Sequence, residues 1–132
     1  MISMTASKVF LDSSIWLGYC LGNIPETRDI VDSEETTLFT SIISIHEIFK
    51  KLKKLGKSEK QVEQAIKLIE DNSIIVGLSK EIAISAATIC EKYELHTIDS
   101  LIYSSAMETG TVFVTADKDF SKTPKTRLLQ IK

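Results

Sequence analysis

The chain has little of what several function classes require. Among its 132 residues are two cysteines, Cys20 and Cys90, far apart and in no metal-ligand or redox spacing. Neither a structural zinc site nor a dithiol redox motif is therefore encoded. Both lie in apolar helical stretches and read as buried free thiols, which suits a reducing cytoplasm. The five glycines are scattered and form no glycine-rich phosphate loop, so nucleotide-dependent chemistry is unsupported. His46 and His96, the two histidines, pair with no Ser or Cys in a nucleophile motif, and each reads as a surface or packing residue. No segment approaches the roughly 20 apolar residues that span a bilayer. Met1 to Ser7 lack a basic region followed by a long apolar run. The expectation is a cytoplasmic protein, neither secreted nor membrane-bound. An excess of either charge is also missing: 16 Lys and Arg face 18 Asp and Glu, for a formal charge of −2. Such a balance gives no general pull towards nucleic acid, so a polyanion must be bound locally.

What is present is the composition of an ordinary globular protein, 43% apolar and 26% charged, at a length that fits one domain over residues 1–132. No internal repeat, low-complexity tract or linker interrupts it. Lys8 to Leu11 reads as a buried strand, followed by a helix over Ser13 to Leu21 with Ile15, Trp16, Tyr19 and Cys20 at helical spacing. After the break Gly22-Asn23-Ile24-Pro25 come a short helix, Glu26 to Asp32, and a strand, Thr37 to Ile42. Ile45, Ile48, Phe49, Leu52 and Leu55 form one helical stripe ending at Gly56, and a second helix runs from Ser58 to Asp71. Ser44-Ile45-His46-Glu47 and Ser58-Glu59-Lys60-Gln61 both match the S-x-x-E/Q capping box. A strand at Ile74-Ile75-Val76, helices over Lys80 to Tyr93 and Ile98 to Thr109, a buried strand Thr111 to Thr115 and an edge strand Leu128 to Ile131 complete the chain. Five strands interleaved with helices predict an α/β three-layer fold around a mainly parallel sheet.

Acids stand where these strands end or helices begin, in Leu11-Asp12-Ser13-Ser14, Thr97-Ile98-Asp99 and Thr115-Ala116-Asp117-Lys118-Asp119. In an open parallel sheet such places line up along one edge, where ligands collect. Carboxylates about 5 Å apart repel by roughly 3 kcal/mol per pair at an effective dielectric near 20, so a cluster calls for protons or a hard divalent cation. Each acid also has a plainer reading. Asp12 is placed equally well as a helix N-cap or as a catalytic acid. Glu47 lies opposite the apolar stripe with Lys51 and reads as a surface or capping residue in a first turn. Asp99 is favourable against a helix dipole, with Thr97 as cap. Two acids and a Thr at the end of a buried strand tilt Asp117 and Asp119 towards function over turn formation.

Taken together, these segments resemble the PIN-domain nucleases, and among them the small single-domain toxins of VapC type. Phe10-Leu11-Asp12-Ser13-Ser14-Ile15-Trp16 is similar to the family's first strand and D-S/T-S signature. Ser44-Ile45-His46-Glu47-Ile48 matches its helical Glu, which reverses the plain reading of Glu47. Leu95 to Ile102 resembles its third-acid helix start, and Val114-Thr115-Ala116-Asp117-Lys118-Asp119-Phe120 its T-x-D-x-D-F turn. Tyr103, Ser104 and Ser105 depart from the small residues usual there. The resemblance implies strand order 3-2-1-4-5 and a pocket formed by Asp12, Glu47, Asp99 and Asp117. It adds Asp119 as a further ligand and Ser13 and Thr115 as orienting groups; spacing leaves open which of Asp117 and Asp119 points inward.

The implied activity is Mg²⁺- or Mn²⁺-dependent RNA hydrolysis, with Asp12, Asp99 and Asp117 or Asp119 as ligands and Glu47 acting through water. Lys50, Lys51 and Lys54, among the lysines of the helical hairpin beside Glu47, read either as a solvated face or as an RNA-backbone track. A VapB-type antitoxin and a homodimer are implied as partners, with Trp16, Leu17, Leu21 and Phe49 as candidate surface residues, although Trp16 and Phe49 also suit a core. Other readings are a non-catalytic PIN-like RNA-binding module, or a housekeeping PIN nuclease. A receiver-type phosphoryl acceptor lacks its acid pair here, and a Toprim-like domain expects Glu where Asp12 stands.

Overall fold

The computed structural model describes residues 7–130. Its elements run β1 (Ser7–Leu11), α1 (Ser13–Leu21), α2 (Glu26–Val31), β2 (Thr36–Ser41), α3 (Ile42–Lys54) and α4 (Glu59–Asn72). They continue as β3 (Ile74–Val76), α5 (Lys80–Tyr93), α6 (Thr97–Glu108), β4 (Val112–Thr115), a one-turn 3-10 helix (Lys118–Phe120) and β5 (Thr126–Leu128). The five strands form one sheet in the order β3-β2-β1-β4-β5. Every pairing is parallel, with Val9 opposite both Leu38 and Val112.

A parallel sheet covered on both faces needs apolar residues on both sides of its central strands. β1 and β4 supply them by alternation. Leu11 and Val114 face the helices α1 to α4, in a core with Trp16, Ile48, Leu52, Val62 and Ile69. Phe10 and Phe113 face the other way, packing with Phe120, Ile102 and Tyr103 against α5 and α6. Tyr103 fits because its hydroxyl donates to the Pro124 carbonyl at 2.6 Å. Ser104 and Ser105 fit because each donates to a backbone carbonyl, of Ile82 and Leu101 respectively. At the end of α1 the chain reverses through Gly22, whose φ of 72° lies in the left-handed region that favours glycine.

The three-layer fold and its strand order agree with expectation, while several boundaries and burials differ. Ile42 begins α3 instead of ending β2, and the cap is Ser41, whose side chain accepts from the Ile43 amide at 3.1 Å. Ser44 is therefore inside the helix, fully buried with its hydroxyl unpartnered, and the expected capping box there does not form. The box at Ser58 does form, with Gln61 reciprocating. α6 begins at Thr97 with His96 at the N-cap position, so Thr97 caps nothing. The last strand is shifted to Thr126–Leu128, and Ile131 lies outside the described residues. Phe49 and Leu55 are exposed instead of lying on the buried stripe, because Ile48 and Leu52 already fill the space over the sheet. Cys20 is exposed and Cys90 half-buried; both are free thiols.

Candidate active site

The carboxyl ends of β1 and β4 are neighbours, so the residues that follow them meet. The Asp12 amide donates to the Val114 carbonyl at 3.0 Å, extending the strand pairing by one step. Asp12 occupies the N-cap position of α1, yet its carboxylate makes no cap hydrogen bond. That settles the two readings of this residue against a cap. Instead Oδ2 accepts from Thr115 Oγ1 at 2.7 Å and from Ser14 Oγ at 2.9 Å. Both hydroxyls are themselves held: the Asp117 amide donates to Thr115 Oγ1 at 3.0 Å, and the Ala116 amide to Ser14 Oγ at 2.9 Å. One oxygen of Asp12 is thus doubly anchored by a network linking β1, α1 and the turn after β4. Sequence reasoning named Ser13 and Thr115 for this work. Ser14 was missed, although its place two residues after the acid, within reach of a local side-chain bond, was the available signal.

Glu47 sits in the second turn of α3 and is half-buried. Its Oε1 is buried without any hydrogen-bond partner. Ser13 lies beside it, whereas Ser14 bonds Asp12. Asp99 projects from the first turn of α6. Asp117 caps the 3-10 helix by accepting from the Asp119 amide at 2.9 Å. Asp117 is half-buried and Asp119 exposed, which makes Asp117 the more inward of the two.

All five acids share one electrostatic neighbourhood. The Asp99 carboxyl is pushed up to about 6, first by burial and then by Asp117, Asp12, Glu47 and Asp119. Burial also raises Asp12, against the hydroxyl bonds of Thr115 and Ser14 that favour its charged form. Glu47 is raised by burial, with Ser13 opposing and the negative charges of Asp12 and Asp117 adding. None of these acids forms an ion pair among the described residues, where the one ion pair joins Lys67 to Asp71, and only the weak opposing field of His46 is felt at Glu47.

The donor set fits a hard divalent cation. Oxygen atoms of Asp99, Asp117 and Asp119 lie within 4.8 Å of one another, a spacing that one ion can bridge. Asp12 and Glu47 stand outside that set of three. The buried, unpartnered oxygen of Glu47 is the second sign that positive charge belongs here, because a buried carboxylate oxygen without a donor is costly.

Beside the acids opens a cleft of about 450 Å³ lined by Ser13, Leu17, Ile43, His46, Glu47, Lys50, Lys51, Lys54 and Ile98. Ser13 and Glu47 belong to both cleft and cluster. The three lysines expected to meet RNA all line this cleft. A cavity of about 490 Å³ elsewhere, bordered by Tyr19, Arg28 and Lys57, touches none of the acids.

Comparison with known proteins agrees with this fold. Residues 9–126 match the PIN domain family. Among curated proteins none matches the sequence. Similar solved structures include a toxin-antitoxin complex from Klebsiella pneumoniae, at 19% identity and a TM-score of 0.76, with 93% of this chain and 99% of that one covered. VapBC2 from Rickettsia felis, bound to a promoter DNA fragment, superposes with a TM-score of 0.75 at 18% identity, covering 95% of this chain and 99% of that one. The sarcin-ricin loop cleaving toxin VapC20 of Mycobacterium tuberculosis gives 0.71 at 14% identity, over 88% of this chain and 95% of that one. At these identities the likeness is one of fold.

Proposed function

The chain belongs to the PIN-domain family, and from that premise we propose that it is a Mg²⁺- or Mn²⁺-dependent endoribonuclease of VapC toxin type, acting in the cytoplasm. The observation that carries the reading is the acid cluster: three convergent carboxylates beside a buried Glu47 oxygen that has no hydrogen-bond partner.

Asp99, Asp117 and Asp119 would hold the cation, with Asp12 adjoining them. When bound, the cation supplies positive charge at the scissile phosphate and acidity to a water. The chain's own residues do the rest. Ser14 and Thr115 fix one oxygen of Asp12 and so hold its carboxylate in one orientation. Glu47, raised by burial and flanked by Ser13, is the proton acceptor for the attacking water, since a base works best when its affinity for the proton approaches the ambient pH. Lys50, Lys51 and Lys54 offset the pocket's repulsion of the phosphate backbone along the cleft.

The Klebsiella and Rickettsia structures are complexes with antitoxins, and by that likeness we extend to this chain a VapB-type partner covering the same edge. We extend a homodimer as well; Leu21 and Phe49, 38% and 48% exposed, are apolar residues suited to a protein contact, whereas Trp16 is buried in the core. Among the described residues no helix is long and apolar enough to cross a membrane.

The test is cleavage of a mixed transfer and ribosomal RNA pool in Mg²⁺, Mn²⁺ or EDTA by wild type and by Asp12→Asn/Asp99→Asn. Discrete products that need metal and vanish in the double variant support the reading. Absence of products under every condition, with RNA still bound, replaces it with a non-catalytic RNA-binding module.

A further inference from the structure

We propose that the cleft between α1, α3 and α6 is a nucleotide subsite, seating one unpaired RNA base on an apolar floor and its flanking phosphates on the lysines of α3. The inference rests on the ribonuclease reading and adds to it where, and in what form, the strand is held.

The floor is made by Leu17, Ile43 and Ile98. Each comes from an element that carries or adjoins an acid. Leu17 is on α1, which begins next to Asp12; Ile43 is one helical turn before Glu47; Ile98 immediately precedes Asp99. A base lying there is therefore within about one nucleotide of the acid cluster. Ile98 is 45% exposed, an apolar surface open to the cleft.

The walls are cationic. Ile43, Glu47, Lys50 and Lys54 stand at i, i+4, i+7 and i+11 and so share one face of α3, which grades from apolar through acidic to basic. Lys50 and Lys54 are about 6 Å apart along the helix axis at 1.5 Å per residue, the scale of one step between phosphates in an extended strand. Among the described residues none of Lys50, Lys51 and Lys54 is in an ion pair. Unpaired ammonium groups bordering one cleft match a polyanion, and Lys binds phosphate as a point charge.

The shape selects the form of the RNA. A recess of about 450 Å³ admits a base and its sugar but not a double helix. Bases reach such a recess when unstacked in a loop or single strand, which is how proteins read RNA.

Fluorescence anisotropy with a labelled single-stranded hexanucleotide tests this. One base at a time is replaced by an abasic sugar, and the same sequence is also offered as a duplex. Wild type, Ile98→Thr and Lys50→Gln/Lys54→Gln are compared, with circular dichroism to show that each is folded. Ile98 and the lysines are exposed, so folding is expected to survive. Wild type should lose roughly tenfold in affinity for one abasic position, and Ile98→Thr should erase that difference, as expected for burial of one base face. The double lysine variant should lower the salt dependence of log K by about 1.4, at about 0.7 per phosphate on a single strand. Equal binding of all abasic strands, equal binding of duplex, or no effect of either variant would overturn the subsite. So would failure of the RNA to bind while a peptide of alternating Glu and Leu does, which would make the cleft a protein-docking groove. Binding with the expected pattern but no cleavage in Mg²⁺ or Mn²⁺ would keep the subsite and remove the nuclease.

Discussion

Thr115 Oγ1 donates to Asp12 Oδ2 at 2.7 Å, joining the ends of two neighbouring strands across 103 positions of sequence. The same hydroxyl accepts the Asp117 amide at 3.0 Å, so one oxygen atom ties two acids of the cluster together. Thr115→Val keeps shape but leaves that amide and Asp12 Oδ2 each short of a partner. Its expected cost is about 1–3 kcal/mol of stability, the usual range for an unsatisfied buried group. Orienting partners of this kind typically matter 10- to 100-fold in metal affinity or activity, and a loss of about that size is expected. Thr115→Ser should recover most of both. Calorimetric Mg²⁺ titration of the three proteins measures it; equal affinities would show that the hydroxyl only packs.

Ser14→Ala provides the matching case on α1. It removes the second donor to Asp12 Oδ2 and the acceptor for the Ala116 amide. Ser13→Ala, one residue earlier, leaves Asp12 anchored and touches Glu47 instead. The expected outcome is that Ser14→Ala weakens Mn²⁺ binding by about tenfold, while Ser13→Ala changes the rate more than the binding. Kinetics over a range of metal concentrations separates the two, and identical profiles would contradict the division of labour.

The metal-free protein should become more stable as pH falls. Asp99 titrates near 6 in the folded chain against 3.8 ordinarily, so protonation favours the folded state. The stability it contributes is fully present below about 3.8 and is lost as pH rises through about 6. Asp12 and Glu47, both raised, act with the same sign. Thermal melts in EDTA should therefore show a higher midpoint near pH 5 than near pH 7.5. Asp99→Asn should flatten that dependence and raise the midpoint at neutral pH by a few degrees, since it removes the charge that its neighbours repel. A midpoint that falls with acidification would show the cluster to be less strained than its geometry implies.

A bound divalent ion should reverse this dependence. Its ligands must be ionised, so its apparent affinity should drop below about pH 6, and binding at pH 6 should release protons. Titration calorimetry in two buffers of different ionisation enthalpy measures the number released.

The acids and the strand order were legible because they depend on local pattern and on chain order. The apolar run Val112 to Val114 reads as a strand, buried at Phe113 and Val114, and the residues after it fall at the carboxyl edge of the sheet. Ser14 was half-legible: spacing signals its local bond to Asp12, whereas its bond from the Ala116 amide, which follows a different strand, has no sequence signal. Phe49 misled for a related reason. Its helical phase admits it to the apolar stripe, yet the space over the sheet was already filled by Ile48 and Leu52. The cleft was half-legible: the lysines were visible as a cluster, whereas Ile98 joins them only through the approach of α6 to α3.

Ser41 and Ser44 offer the last discrimination, since sequence pattern assigns the cap of α3 to the wrong one. Ser41 accepts the Ile43 amide, so Ser41→Ala should cost about 1 kcal/mol, as lost N-caps do. Ser44 is fully buried in the helix with its hydroxyl unpartnered, so Ser44→Ala removes an unsatisfied group and improves helix propensity. It should be neutral or stabilising by up to about 1 kcal/mol. Chemical denaturation of the two variants decides between the assignments. Because α3 also sets the position of Glu47, Ser41→Ala should lower the cleavage rate along with the stability, and Ser44→Ala should leave the rate close to wild type. A destabilising Ser44→Ala would instead reveal a partner for that hydroxyl, such as a buried water shared with the neighbouring Glu47 one turn on.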